Sequence, residues 1–312
     1  MRTEQPKMIY LKDYQAPEYL IDETHLTFEL FDDHSLVHAQ LVMRRNPERG
    51  AGLPPLVLDG QLLELLSVKL ADVDLAPGDY QLTPDSLTIQ PESATFTLDT
   101  SVKIHPETNT ALEGLYKSSG MFCTQCEAEG FRKITYYLDR PDVMSTFTTT
   151  VIANKQAFPI LLSNGNLIDL GPEGDDRHWA TWEDPFKKPA YLFALVAGDL
   201  WCVEDTFVTM SQRKVTLRIF VEPENIDKCQ HAMDSLKKSM RWDEEVYGRE
   251  YDLDIFMIVA VNDFNMGAME NKGLNIFNSS AVLARAETAT DAAHKRVEAI
   301  VAHEYFHNWS GN

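Results

Sequence analysis

The chain has 312 residues, 44% hydrophobic and 24% charged, which is enough apolar material for a sizeable core and enough length for two domains. Twenty-eight basic residues stand against 48 acidic ones, and the formal net charge of −20 repels phosphate backbones and argues against a nucleic-acid partner. No run approaches the roughly 18 apolar residues of a membrane-spanning helix. Residues 1–7 carry charge and proline where a leader has an apolar stretch, so we expect no membrane span, no secretory signal and a cytoplasmic protein.

The first two hundred residues read as strands. Leu26, Phe28 and Leu30 alternate with polar neighbours, residues 32–35 break the run, and Val37, Ala39, Leu41 and Met43 alternate again in a hairpin pattern. Shorter runs follow at 66–70, 87–89, 95–98, 147–152 and 160–162, the last closed by the turn pair Asn164 and Gly165. Many short strands with frequent turns predict an antiparallel sandwich or saddle. Cys123 and Cys126 form a C-x-x-C, but Cys202 and Cys229 supply no second such pair for a four-cysteine zinc site. Reduced structural thiols are the expectation.

The pattern changes near Gly198 and Asp199. Residues 215–221 read as a strand, after which Cys229, Met233, Leu236 and Met240 fall on one face at helical spacing, a stripe suited to a core. The apolar strand 255–261, a loop over 262–273 and a strand-like stretch over 274–277 come next. The last helix opens at an N-cap, Thr290 or Asp291, and repeats Val297, Ile300 and Val301 before His303. The domains so divided are a mainly β unit over 1–199 and an α/β unit over 200–312.

His303 and His307 stand four residues apart, which on a helix puts both imidazoles on one face, one turn apart, where they can chelate a single ion. Glu304 follows the first histidine and can reach a water beside that ion, taking its proton and returning it to a leaving amine. The preceding residues 299–302 are apolar and are expected to bury the motif. Two histidines leave a catalytic zinc short of its usual three protein ligands. His294, His231 or an acidic residue could fill the gap, and spacing selects none of them.

About thirty residues before His303 lies the loop Gly267-Ala268-Met269-Glu270-Asn271. A G-x-M-E-N loop followed by H-E-x-x-H resembles the aminopeptidase N family of gluzincin zinc metallopeptidases. Residues 123–132, 134–143 and 191–199 look like the bacterial members as well, so the resemblance covers the whole chain. It implies an N-terminal β-saddle followed by the first part of a thermolysin-like catalytic domain. It implies one zinc per active site, with His303 and His307 as ligands and Glu304 as general base. Glu270 would bind the free α-amino group of a peptide, with Glu127 as a second carboxylate and Gln125 beside it. Gly267 and Ala268 would offer backbone groups to the peptide, Met266 would line the pocket for its first side chain, and Asn271 completes the substrate-binding loop. An ammonium between two carboxylates makes strong charge-assisted hydrogen bonds that a blocked N-terminus cannot replace.

The family's third zinc ligand, a Glu, would fall near position 326, beyond these residues, as would a tyrosine that supports the intermediate. The expectation is therefore a fragment that is not itself competent. Two other readings stay open: a non-catalytic β-domain that binds peptides or partner proteins, and an epoxide-opening relative of the same architecture.

Overall fold

Alternation of apolar and polar residues builds the first sheet in this computed structural model, which describes residue 8 and residues 10–311. The segment 1–7, read above for the absence of a leader, lies outside the described residues. Along Tyr19–Leu30 and Ser35–Arg45 nearly every second side chain is buried, and the two strands pair antiparallel across the turn at residues 31–34. They sit at the middle of an eight-stranded sheet that includes Met144–Asn154, Arg177–Pro189 and Thr95–Ile104. Pairing is not uniformly antiparallel, because Tyr19–Leu30 runs parallel to Met144–Asn154. A four-stranded sheet (Gly114–Ser118, Met121–Gln125, Ile160–Ser163, Leu195–Gly198) and a three-stranded one complete the mainly β part.

Asn164 and Gly165 do not close a hairpin. Ile160–Ser163 belongs to the four-stranded sheet and Asn166–Glu173 to the edge of the eight-stranded one, so this turn hands the chain from one sheet to the other. Gly165 has φ +92°, and a Cβ there would lie 2.0 Å from the Glu183 carbonyl oxygen, so only glycine fits.

The remainder forms a five-stranded mixed sheet in the order Trp201–Val208, Lys214–Val221, Ile255–Val261, Leu274–Asn278, Ala268–Met269. Its central strand Ile255–Val261 is buried along its whole length. The side-chain period of two explains why a continuous apolar run is needed. Met257, Val259 and Val261 face the core shared with the β part, whereas Phe256, Ile258 and Ala260 face a second core. That second core is closed by α1 (Gln230–Tyr247), the short α2 (Ser279–Val282) and α3 (Asp291–Phe306). The predicted stripe of Cys229, Met233, Leu236 and Met240 is fully buried in it.

Among the cysteines, Cys123, Cys126 and Cys229 are buried and Cys202 is exposed, and all four are free. Burial pushes the Cys123 thiol up to about 12 and Cys126 well above its ordinary value, so the C-x-x-C is chemically quiet.

Candidate active site

Helix α3 begins at Thr290, whose side-chain oxygen accepts from the Ala293 N–H at 3.2 Å. Its buried stripe is Val297, Val301, Glu304 and Tyr305. These positions are spaced by four, three and one, so one helical face packs on the second core while its flanks do not. The apolar stretch 299–302 therefore does not bury the motif: Ala299 and His303 are exposed, and Ile300 and Ala302 are half-buried. Glu304 is the motif residue that points inward, 7% exposed. The helix ends at Phe306, and His307 is its cap residue, still in helical conformation.

The two imidazoles converge. Nε2 of His303 and Nε2 of His307 are 3.1 Å apart, with the rings nearly perpendicular at 87°. An ion about 2.0–2.1 Å from both nitrogens would subtend an angle of about 100°, close to tetrahedral, so the pair fits a zinc ion. Nδ1 of His307 lies 2.9 Å from the Ser310 carbonyl oxygen, an acceptor that holds the proton on Nδ1 and turns Nε2 toward His303. Gly311 is shaped to this ring: φ is +92°, and a Cβ would come within 2.7 Å of Nδ1.

The second contribution comes from the loop after the central strand. Ala268–Met269 pairs antiparallel with Leu274–Asn278 and forms an edge of the five-stranded sheet, so its outer backbone groups face away from any strand among the described residues. The Gly267 carbonyl accepts from the Asn278 N–H at 2.9 Å, which fixes the start of that edge. Glu270 follows, half-buried, and ligand atoms of Glu270, Glu304 and His307 all lie within 4.8 Å of one another. These three also line one cavity of about 250 Å³ that reaches Phe186 and Lys188 of the β part.

Glu127 arrives from the β part, on the turn that follows Met121–Gln125. Glu127 is exposed on that turn, yet partial desolvation by its surroundings and then the Glu270 charge push its carboxyl above the ordinary range, with His307 acting in the opposite sense. Glu304 is pushed up to about 8, first by burial and then by Glu270 and Glu127. Three carboxylates from three elements thus share one field, an arrangement that a cation would relieve. Gln125, two residues before Glu127, is buried, and its Oε1 has no hydrogen-bond partner among the described residues.

The expected site residues are not all gathered there. Met266 is 38% exposed and does not line the cavity. Asn271 is fully buried, donating from Nδ2 to the Phe193 carbonyl at 3.2 Å, so it anchors the loop to the β part. Phe193 is itself held among Phe28, Phe131 and Phe147, which makes the anchor rigid. Asn164, unremarked in the sequence beyond its turn signal, completes the attachment: its amide donates to the carbonyls of Lys272 (2.8 Å) and Leu192 (3.1 Å). Lys272, Asp252, Asn308 and Ser310 also touch the site's frame. Only the adjacency of Lys272 to the G-x-M-E-N loop and of Asn308 to His307 could have drawn attention to them.

Comparison with known proteins places the chain as a whole. The Peptidase M1 N-terminal domain matches residues 25–192 and the Peptidase family M1 domain matches residues 231–312. The chain is 54% identical to aminopeptidase N of Caulobacter vibrioides over 312 residues, all of this chain and 36% of that protein. It is 53% identical to aminopeptidase N of Escherichia coli over 99% of this chain and 35% of that protein. A solved structure of Legionella pneumophila aminopeptidase A in complex with aspartic acid superposes with a TM-score of 0.93 at 38% identity, covering 96% of this chain and 35% of that one. The chain thus spans about a third of the length of the relatives it matches.

Proposed function

Because the chain belongs to peptidase family M1, we propose that it carries the amine-binding and metal-binding parts of a zinc aminopeptidase that releases single N-terminal residues from peptides. The observation that carries this reading is the convergence of Glu127, Glu270 and Glu304 beside the paired imidazoles of His303 and His307. The same reading divides the chain into a β-domain over 1–199 and the start of a catalytic domain over 200–312.

In this proposal Glu127 and Glu270 hold the substrate's α-ammonium between them. Desolvation and, after it, mutual repulsion lift the carboxyls of Glu127 and Glu304; the ammonium relieves the repulsion, so amine binding shifts those groups toward their ionised forms. Glu304, buried and fixed on α3, then accepts a proton from the attacking water and passes it to the leaving amine. The outer edge of Ala268–Met269 aligns the peptide backbone, as strand addition does elsewhere. His303 and His307 would hold a zinc ion, which would supply Lewis-acid polarisation and make a water easier to deprotonate. The third protein ligand is assigned to a glutamate near position 326, so residues 1–312 alone are proposed to be inactive. Cleavage stops at one residue because the two carboxylates need a free ammonium, which only the first residue carries.

Metal removal tests this. Dialysis of the full gene product against a strong chelator should abolish hydrolysis of alanine p-nitroanilide, and one equivalent of zinc should restore it. Full activity in metal-free protein, or no activity with zinc restored, would overturn the assignment.

A further inference from the structure

Lys272 stands two residues after Glu270, and its ammonium donates to both Asp252 carboxylate oxygens at 2.6 and 2.7 Å and to Asn308 Oδ1 at 2.8 Å. Asn308 is the residue after His307, and its amide donates to Asp252 Oδ1 at 3.3 Å. One cation therefore ties the loop carrying Glu270 to the segment carrying His307. The knot is mostly removed from solvent, with the Lys272 and Asp252 side chains 13% and 23% exposed. The Phe186 and Tyr251 rings lie 5.0 and 5.7 Å from Nζ. Charge-assisted bonds in such a setting are short and strong, and deleting one partner leaves the others unsatisfied.

We propose that Lys272 is a positioning residue that fixes the His307 end of α3 against the Glu270 loop, and so sets the metal geometry. This rests on the zinc reading above. Lys272 touches neither the reacting atoms nor the proposed ligand nitrogens. It acts through Asn308, which begins the turn whose Ser310 carbonyl receives the His307 Nδ1 proton. Among the described residues the turn's backbone N–H groups bond to the preceding helix, Asn308 N–H to the Tyr305 carbonyl and Trp309 and Ser310 N–H to the Phe306 carbonyl. These bonds do not reach the Glu270 loop.

The loop itself is secured to the β part independently, through Asn164 on the Lys272 carbonyl and Asn271 on the Phe193 carbonyl. Losing the ammonium should thus be felt at the metal end of the site while Glu270 stays where it is. That asymmetry separates positioning from general structural support. A structural residue would lower melting temperature and every kinetic constant together; Lys272 should act on metal affinity and kcat and spare the KM for the free amine.

The test uses the full gene product as wild type, Lys272→Met, Lys272→Arg and Asn308→Ala. Zinc affinity is measured by chelator competition, the visible spectrum of the cobalt-substituted protein reports ligand geometry, and kcat and KM are read on alanine p-nitroanilide. We expect Lys272→Met to weaken zinc about 10–100-fold, the scale of outer-shell substitutions. We expect its cobalt spectrum to change, KM to stay within about twofold, and Lys272→Arg to recover most of the affinity. Asn308→Ala cuts the same link while keeping the Lys272–Asp252 pair, and should weaken zinc severalfold with little change in melting temperature; it decides the matter if Lys272→Met does not fold. Zinc affinity and cobalt spectrum unchanged in Lys272→Met, or in Asn308→Ala if that variant must stand in, would overturn the inference alone. A wild-type protein that takes up no zinc would overturn both the functional reading and this one.

Discussion

Glu304 and Glu127 bring the same side chain into the same field from opposite kinds of structure. Glu304 sits on a sixteen-residue helix, in a stripe with Val297, Val301 and Tyr305 that packs it 7% exposed. Glu127 sits on an exposed turn, where the neighbouring Gly130 passes so close to Gln125 that a Cβ would lie 2.5 Å from its carbonyl oxygen. The first is rigid by regular packing; the second is placed by local backbone shape. The proposed tasks follow that difference: proton transfer needs a fixed group of tuned pKa, whereas holding a mobile ammonium needs an accessible charge.

Substitutions at the two positions should therefore fail differently. Glu304→Gln keeps the shape and removes the base, and kcat should fall by on the order of 10³ with metal content unchanged, read by steady-state kinetics and metal analysis. A variant within tenfold of wild type would remove Glu304 from the chemistry. Glu127→Gln should instead raise KM roughly 10–100-fold, the scale of one charge-assisted hydrogen bond, and change kcat less. A pure kcat effect there would erase the contrast. Gly130→Ala sharpens it from the backbone side: the turn must shift, so KM should rise severalfold while zinc affinity stays at the wild-type value.

A separate effect, on stability rather than turnover, concerns pH. With Glu304 pushed up to about 8 in the folded protein, against an ordinary value of 4.5, folding favours its protonated form. That contribution is fully present below about pH 4.5 and is lost as pH rises through about 8. In metal-free protein, denaturant unfolding should show Glu304→Gln gaining stability over wild type between pH 5 and pH 9. A constant difference across that range would mean that the carboxyl is not raised.

The helix half of the site was legible in the sequence because its logic is local. Four-residue spacing puts two imidazoles on one face whatever the rest of the chain does, and Thr290 caps the helix as its side chain predicts. The depth of the motif was not legible, since residues 299–302 are apolar yet lie largely off the packed stripe. Glu127 emerged through family resemblance alone, because its neighbours Glu270 and Glu304 are more than 140 residues away and no periodicity links them. The Asn164–Gly165 turn was visible, but its role was not: a turn signal does not say whether the next strand joins the same sheet. Asn271 shows the opposite error of inference. A motif residue beside Glu270 was expected to meet substrate, and it turns inward because the loop needs a buried anchor on Phe193.

The most direct test of the central claim, that two carboxylates beside a metal-binding histidine pair select a free amine, is a comparison of two substrates. The zinc-loaded full gene product should hydrolyse alanine p-nitroanilide at least about 100-fold more efficiently, in kcat/KM, than the N-acetylated compound, because acetylation leaves Glu127 and Glu270 without a cation. Cleavage of both within a few-fold of each other would contradict the account and assign these carboxylates another purpose.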